Sequence, residues 1–476
     1  MSPLIDPNLF NHEPLSESGA ETLKRRTFLK AAAWAMTGGA LTPFSAPNAF
    51  AQSDTGAASK ASKKSFSLRD FDSSLNDRGD ATKAMTKALH EMGPGGRLTL
   101  PPGAIYFLSE SQTFQFDDFQ LECPDGQATL RATPGSQYEA LLTATGRSNI
   151  VLRNIVIDAN QRQRAAGQTT RFMGLNFHSC KSPRLIKVVA MNTLGFNHIS
   201  GVGLSLGGKT LDGRVEHCEV VDCGAGAQPS DGIYTSGDNN VILSCRATRC
   251  TDTAFVVASS NHSGIVDCFA QSCSCAGAIT NATNATASEN YIDGLVGNDW
   301  NAGVTGGVQI GNPLSTTTGD LVSTKIAGLT LTRVAGNGPA INVRRTGRAV
   351  TRGLEMNDVV VDGAARQGIL INATDVTLTN PQVRNTKDAC IQFQSGSSNC
   401  RVIGAKLNGG SFGIVATSVS SIEIEDLSYD GNGAARHAVY FFGRAKNIRV
   451  RKVSAKNILA TPVSSDTGTI PTVVNE

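Results

Sequence analysis

The chain has 476 residues, with 43 lysines and arginines against 40 acidic residues, and its formal net charge is +3. This balance gives no field of the kind that nucleic acids or anionic membranes select, so we expect no nucleic-acid partner. Only 17% of the residues are charged and 40% are hydrophobic, which excludes a charge-extended disordered chain. The 49 glycines and the aromatic content of 6% favour many short strands joined by tight turns.

The N-terminal stretch predicts a twin-arginine export signal. Arg25 and Arg26 open a weakly apolar segment that ends in the small-x-small cleavage pattern Ala49-Phe50-Ala51. The alternative is an amphipathic helix of the mature protein. We expect a signal peptide over 1–51, a linker over 52–64, and a periplasmic or secreted protein that the twin-arginine translocase exports already folded. Beyond it, no apolar run of about 18 residues predicts a transmembrane anchor.

The 11 cysteines show a repeat. Three Cys-x4-Cys pairs begin 27 and then 23 residues apart, and they are Cys218/Cys223, Cys245/Cys250 and Cys268/Cys273. Three interpretations stay open: a buried ladder of stacked thiols, disulfides formed after export, and a metal site. The buried ladder is favoured, because the thiols would be in a reducing cytoplasm while the chain folds and no histidine is placed to complete a zinc site.

Two short strand patterns alternate along the chain. In the first, a small residue precedes an apolar one at intervals of 22 to 33 residues. Its instances are Gly174-Leu175, Gly203-Leu204, Gly232-Ile233, Ala254-Phe255, Ala278-Ile279, Gly307-Val308, Ala340-Ile341, Gly368-Ile369, Cys390-Ile391, Gly413-Ile414 and Ala438-Val439. In the second, a polar turn residue precedes an apolar-x-apolar strand, as at Asn149-Ile150-Val151-Leu152.

A repeat of this length is too small to bury a face alone, so successive repeats must stack. The sequence therefore predicts an all-β fold, a right-handed parallel β-helix of about eleven or more coils over 111–457. A leucine-rich repeat fold is not supported because its leucine consensus is absent from this sequence. A β-propeller would need a longer repeat than the one observed. An amphipathic helix after Asp80 predicts an N-terminal helical cap over 65–110. The strand-poor residues 458–476 are expected to form a C-terminal tail.

A resemblance supports this fold. The passage 71–108, with its Gly-Asp-x-Thr helix start and its Gly-Gly-strand-Pro-Pro-Gly-x-Tyr segment, resembles the N-terminal cap of pectate-lyase-like β-helix proteins. The export signal, cap and repeats together resemble a bacterial family of twin-arginine-translocated repeat proteins. The wider superfamily includes pectate lyases, polygalacturonases, alginate epimerases and phage tailspikes, so the resemblance implies a polysaccharide partner.

Two enzyme chemistries fit such a partner. Elimination on a uronic-acid polymer needs a base and a cation for the substrate carboxylate, supplied by Ca²⁺ or by arginine. Hydrolysis needs two carboxylates. Asp231 and Asp252 should lie near each other on adjacent coils, and Tyr234 should point outward beside them. The alternative is that each aspartate only closes its own turn.

Four other residues are candidates. His198 could act as a base, and Arg344, Arg345 and Asn281 could bind substrate; the alternatives are a turn histidine, solvated arginines and a structural asparagine. The chain lacks the Asn-Thr-Asp, Gly-His-Gly and Arg-Ile-Lys motifs of polygalacturonases and the Asp-Pro-His-Glu motif of alginate epimerases. No catalytic residue is therefore carried over from those families.

The sequence thus favours an exported polysaccharide-active protein, with lyase-like chemistry on an acidic polysaccharide preferred over glycoside hydrolysis. Ca²⁺ is the cofactor that such a lyase would use. The rival is a non-catalytic carbohydrate-binding protein or cell-envelope scaffold, because stacked coils provide an extended groove without catalysis. A trimeric tailspike-like adhesin is a third alternative, and the sequence does not indicate an oligomeric state.

Overall fold

The described part of the chain begins after the predicted signal and linker. The computed structural model describes residues 65–164, 167–225, 228–302, 306–311, 318–345, 348–466 and 472–474. The predictions for Arg25, Arg26 and the linker over 52–64 lie outside these residues. Within the described residues, no helix is long and apolar enough to cross a membrane.

The N-terminal cap is built on a 3₁₀ turn, Leu68–Asp70, and on helix α1, Thr82–Glu91. The predicted apolar face is confirmed, since Ala81, Met85, Ala88 and Leu89 are buried. Asp80 accepts hydrogen bonds from the backbone N–H and the hydroxyl of Thr82, at 2.9 and 2.6 Å, and so fixes the start of the helix. A second short helix, α2, spans Gln161–Arg164.

The strands, numbered β1 to β44 in chain order, form two sheets. The smaller sheet has 14 strands: β4 (Gln112–Thr113), β7 (Ala140–Thr145), β10 (Met173–His178), β13 (Gly201–Gly207), β16 (Ser230–Ser236), β19 (Thr253–Ala258), β22 (Cys275–Thr280), β26 (Val308–Gly311), β30 (Ile341–Arg344), β33 (Ile369–Ile371), β36 (Ala389–Phe393), β39 (Phe412–Thr417), β41 (His437–Phe442) and β43 (Val463–Ser465).

The larger sheet has 30 strands: β1 (Ser65–Ser67), β2 (Arg97–Thr99), β3 (Ile105–Leu108), β5 (Gln120–Glu122), β6 (Ala128–Ala132), β8 (Val151–Arg153), β9 (Ile155–Asp158), β11 (Arg184–Ile186), β12 (Val189–Met191), β14 (Arg214–Glu216), β15 (Glu219–Cys223), β17 (Val241–Leu243), β18 (Arg246–Cys250), β20 (Gly264–Val266), β21 (Phe269–Gln271), β23 (Ala287–Ser288), β24 (Tyr291–Asp293), β25 (Val296–Ala302), β27 (Leu321–Val322), β28 (Lys325–Ala327), β29 (Thr330–Gly336), β31 (Thr351–Asn357), β32 (Val360–Ala364), β34 (Thr374–Thr379), β35 (Gln382–Thr386), β37 (Ser398–Ile403), β38 (Lys406–Gly409), β40 (Ser420–Ala435), β42 (Lys446–Ile458) and β44 (Thr472–Val474).

Strands pair in parallel from coil to coil. In the smaller sheet each strand between the two terminal ones pairs with its equivalents in the preceding and following coils, as β16 does with β13 and β19. The larger sheet carries two such ladders, for example β11–β14–β17 and β12–β15–β18. The predicted right-handed parallel β-helix is therefore confirmed, with its strands stacked about 4.8 Å apart.

The inward column of the smaller sheet confirms the small-apolar pattern with one correction. Leu175, Leu204 and Ile233 pair in register and are fully buried. The next coils place Phe255 and then Gly277 in this column, so the prediction of Ala278-Ile279 there was wrong by two residues. A glycine occupies the inward position of this strand, and the small-apolar pattern fits only two residues later. A Cβ at position 277 would lie 2.8 Å from Cδ2 of Leu295, so a larger residue there would force Leu295 to shift.

The cysteines form the predicted buried ladder. All 11 are buried free thiols. Cys223 and Cys250 pair in register on neighbouring coils, and the N–H of Cys250 points to Sγ of Cys273 at 3.4 Å. The Cys218 N–H points to Sγ of Cys245 at the same distance. Burial raises the pKa of several of them, including Cys390 to about 11.

The sheets continue into the predicted tail. β43 pairs with β41 and β44 pairs with β42, so the pairing extends beyond the predicted end of the β-helix at residue 457. Each of these strands has only three residues. That length is too short for alternation of apolar residues to be recognised in the sequence.

Candidate functional site

Three residues that the sequence predicts as catalytic lie on two neighbouring coils of the smaller sheet. Asp231 and Tyr234 belong to β16, and Asp252 directly precedes β19 on the next coil. Both aspartates are half-buried. Stacking of the coils brings the two carboxylates together, as their positions in the repeat predict.

Asp231 does more than close its own turn. Its Oδ1 accepts the backbone N–H of Thr253 from the next coil at 3.1 Å. Its own N–H donates to Oγ of Ser200, on the preceding coil, at 3.1 Å. The Ser200 hydroxyl itself donates to the carbonyl oxygen of Gly201 at 3.0 Å. Its proximity lowers the pKa of Asp231 and of Asp252, against the effect of burial.

The two carboxyl groups titrate as a pair. Burial raises the pKa of Asp231 well above its usual range, and the charge of Asp252 raises it further. Burial also raises the pKa of Asp252, against hydrogen bonds from Thr253 and Ser200 that lower it. Two neighbouring carboxylates with raised pKa values hold a proton that one isolated surface aspartate would lose. The pair can thus supply an acid and a base at one place.

Tyr234 points outward, as predicted. Ile233 is fully buried in the core, whereas the half-buried Tyr234 ring packs on a separate apolar cluster of Ala140, Met173 and Val202. Burial is the main cause that raises the pKa of Tyr234, and the charge of Asp231 adds to it. The ring therefore lies close enough to Asp231 to sense its charge.

Sequence reasoning missed Ser200 and Arg171. Nη1 of Arg171 donates to the carbonyl oxygen of Ser200 at 3.2 Å, and Nη2 lies 2.6 Å from Oε1 of Glu139. Glu139, Arg171, Phe196 and Ile199 line a surface depression together with two threonines, Thr169 and Thr170. Arg171 and Ser200 each lie two residues before a position of one column, Met173 and Val202, so alignment of the repeats could have found them.

His198 is not brought to the carboxylates. It lies at the tip of a tight turn in which Phe196 and Ile199 exchange backbone hydrogen bonds, and its φ is 65°. The side chain is exposed and makes no hydrogen bond within the described residues. Ser200, two residues later, accepts the N–H of Asp231 instead. His198 therefore lies in a tight turn, and its role as a base stays a prediction.

The predicted substrate-binding residues lie apart from the pair. Arg344 is half-buried on β30, four coil steps or about 19 Å from β16, and burial lowers its pKa. Arg345 is exposed. Neither contributes to the pKa shifts of the two aspartates.

Asn281 is a structural residue. Its side chain is fully buried, and Nδ2 donates to the carbonyl oxygens of Ala285 and Asp320 at 2.7 and 2.9 Å. Its Oδ1 accepts from the N–H and the hydroxyl of Thr283 at 3.1 and 3.0 Å. The prediction of Asn281 as a substrate ligand is corrected, because these bonds use the amide to hold a loop.

The described residues offer Ca²⁺ few ligands. Nowhere among them do three or more histidine, cysteine, aspartate or glutamate side chains converge as a metal site would require. Ca²⁺ takes six to eight oxygen ligands, and the Asp231–Asp252 pair supplies carboxylates from two residues. A cation at this place would need most of its oxygens from a substrate or from water.

Comparisons with known proteins agree on the architecture. No protein-family model and no curated protein matches the chain. Gene product 12 of bacteriophage phi29, in its pre-mature form, has a TM-score of 0.61 at 16% identity over 85% of this chain. The chain spans 57% of that protein. The surface adhesin PfbA of Streptococcus pneumoniae has a TM-score of 0.50 at 11% identity, over 82% of this chain and 92% of its own.

An endo-xylogalacturonan hydrolase of Aspergillus tubingensis has a TM-score of 0.44 at 12% identity, over 81% of this chain and 96% of its own. At these identities the likeness concerns the fold alone. The chain is a parallel β-helix protein. The resemblance to twin-arginine-translocated repeat proteins, for which no family model matches, stays a prediction.

Proposed function

We propose that the protein is a polysaccharide-active enzyme in which Asp231 and Asp252 act as an acid/base pair. The observation that carries this proposal is the placement of two half-buried carboxyl groups on adjacent coils, where Oδ1 of Asp231 accepts the N–H of Thr253 directly after Asp252. Burial raises the pKa of each carboxyl group. A raised pKa favours the protonated form of a carboxyl group, which is the form that a general acid requires. The stacked strands beside it form a long outer surface that suits an extended polymer.

Hydrolysis is the reaction that this pair suits best. The protonated carboxyl donates its proton to the glycosidic oxygen as the bond from that oxygen to the anomeric carbon breaks. The ionised partner either attacks the anomeric carbon or removes a proton from the water that does so. Ser200, which accepts the backbone N–H of Asp231, lies beside both carboxyl groups and lowers the pKa of each.

Elimination on a uronic-acid polymer is the second candidate, as the sequence favours. It is supported by Tyr234, whose ring senses the charge of Asp231, and by Arg171, whose guanidinium contacts Ser200 beside the pair. Arginine can neutralise a substrate carboxylate, and a tyrosine hydroxyl can pass a proton to the leaving oxygen. Here the carboxylate pair would need only to act as the base.

The two chemistries and simple binding give different products. We expect the protein, offered pectate, alginate and neutral plant polysaccharides, to release new reducing ends from at least one of them. Release without absorbance near 235 nm indicates hydrolysis, and release with it indicates elimination. Replacing both aspartates, D231N with D252N, should lower the rate by roughly 10²–10⁴-fold. Binding without products from any polymer would contradict the enzyme proposal and support the carbohydrate-binding alternative.

We further propose that the protein works outside the cytoplasm, since the segment with Arg25 and Arg26 matches a twin-arginine signal. Replacing both arginines by lysine is expected to leave the protein in the cytoplasm with its full mass, as measured by cell fractionation and mass spectrometry. Replacing Lys24 by arginine is the matched control and should leave export unchanged. Normal export of the double lysine variant would contradict this proposal.

A further inference from the structure

Four aromatic rings gather on the last coils of the smaller sheet. His437 and Tyr440 lie 4.9 Å apart between ring centroids, Tyr440 and Phe442 4.5 Å, and Phe412 and Tyr440 5.6 Å. Phe412, His437 and Tyr440 are half-buried, and 37% of Phe442 is exposed. In a chain with only 6% aromatic residues, such a surface cluster is unusual. We call these four residues the aromatic platform.

The strand register connects the platform with the acidic pair. Tyr234 and Tyr440 belong to one column of the smaller sheet, linked through Val256, Ala278, Gln309, Asn342, Leu370, Gln392 and Val415. Tyr234 points outward, and this column alternates with the inward one, so its side chains point outward on every coil. Between the two tyrosines the column is largely covered, with Val256 7%, Gln309 7% and Val415 5% exposed. Eight coil steps separate the two tyrosines, or about 38 Å.

The platform has polar edges as well as apolar faces. Nδ1 of His437 lies 2.7 Å from the carbonyl oxygen of Thr461, which orients the imidazole. The hydroxyl of Tyr440 has no protein hydrogen-bond partner within the described residues. A sugar ring presents C–H groups on its faces and hydroxyl groups on its edge. Rings that offer a flat apolar face and a polar rim match both features.

The exposed apolar area is too small for a stable protein interface. Such an interface buries about 800 Å² on each partner. The platform offers one ring that is 37% exposed and three that are half-buried. A ligand that needs only a few stacked rings fits this surface better than a second protein does.

We propose that the aromatic platform is a non-catalytic binding site for the same polysaccharide, holding the polymer about 38 Å from the acidic pair. This inference rests on the proposed function for the identity of the ligand. It adds that the ligand is long, because a short oligosaccharide at Asp231 and Asp252 would not reach Phe412, Tyr440 and Phe442. The platform should then raise affinity for polymers and leave the reaction of short substrates unchanged.

The test measures binding and turnover separately. The double variant Y440S with F442S is compared with the unchanged protein by affinity electrophoresis in pectate and in alginate gels. We expect binding of the retarding polymer to weaken about tenfold, as loss of stacking contacts predicts. Turnover of short oligosaccharides should stay unchanged. F442Y keeps a ring at this position and should keep most of the affinity.

The matched control is L211S, which removes a side chain with 39% exposure away from the platform and should not alter retardation. Equal retardation of the double variant and the unchanged protein, or no retardation of either by these polymers, would overturn the inference. A change in sedimentation of the double variant would also overturn it, because it would show that the rings hold another copy of the chain. Retardation in the gel measures binding and needs no catalysis. A protein that is retarded by the polymer but releases no products would therefore contradict the enzyme proposal and leave this inference standing.

Discussion

Replacing Arg164 by alanine is expected to lower the free energy of unfolding by about 3 kcal/mol. The guanidinium is fully buried, and it donates to the carbonyl oxygens of Ser136 at 2.7 Å, of Ala159 at 3.0 Å and of Tyr138. Its Cζ lies 4.4 Å from the Tyr138 ring centroid and 3.9 Å from that of Phe172. Alanine would leave three buried carbonyl groups without these donors and would remove the group between the rings.

No acidic partner accounts for this charge within the described residues, so its environment consists of carbonyl oxygens and aromatic faces. Burial lowers the pKa of Arg164 to about 10, which leaves it protonated at neutral pH. The matched control is R162A on the same short helix, where the side chain is exposed and the effect should stay within about 0.5 kcal/mol. Equal unfolding midpoints for the two variants in urea would contradict the prediction.

Replacing Asp231 by asparagine is expected to stabilise the protein at neutral pH while removing activity. The pKa of Asp231 is higher in the folded state than its unfolded-state value of about 3.9. The protonated carboxyl group therefore makes its full contribution to stability at a pH below that unfolded-state value. That contribution is lost as the pH rises through the folded-state pKa. Asparagine cannot ionise, and its amide oxygen can still accept the N–H of Thr253.

The gain should therefore be absent near pH 3 and should grow as the pH rises to 8, measured by urea unfolding across this range. Asp238 provides the control, since its carboxylate also accepts a backbone N–H from the next coil, that of Asn261 at 2.9 Å. If D238N shows an equal gain, the effect belongs to turn aspartates in general. If D231N destabilises the protein at pH 8, Asp231 is a structural residue and the proposed site is wrong.

The β-helix could be predicted from the sequence because every coil buries apolar residues at equivalent positions, which makes the apolar pattern periodic. The register error at Gly277 shows the limit of this reasoning, since a glycine lies at the inward position and the small-apolar pattern fits two residues later. The close packing of Leu295 against Gly277 leaves little room for a larger inward residue, and the sequence pattern does not show this contact. Strands as short as β43 and β44 carry too few residues for any period to appear in the sequence.

The site was only partly predictable for a related reason. Asp231 and Asp252 occupy nearby positions of adjacent repeats, so their proximity follows from stacking. The position of Ser200 in the repeat follows from alignment, but its hydrogen bond to the N–H of Asp231 depends on the path of the tight turn that precedes it. Asn281 illustrates the reverse case, because a buried structural amide and a substrate ligand look the same in a sequence.

The buried cysteines provide a way to measure local opening of the β-helix. Neighbouring coils hold Cys223 and Cys250 in register, at a strand spacing that falls within the Cα separations of real disulfides. The Cα spacing therefore does not by itself prevent a disulfide, whereas burial limits the access of an oxidant. Each thiol can react only while its own coil is open, so its rate of alkylation measures how often that coil separates from its neighbours. The alkylation rates of cysteines on successive coils would therefore show how often each coil opens.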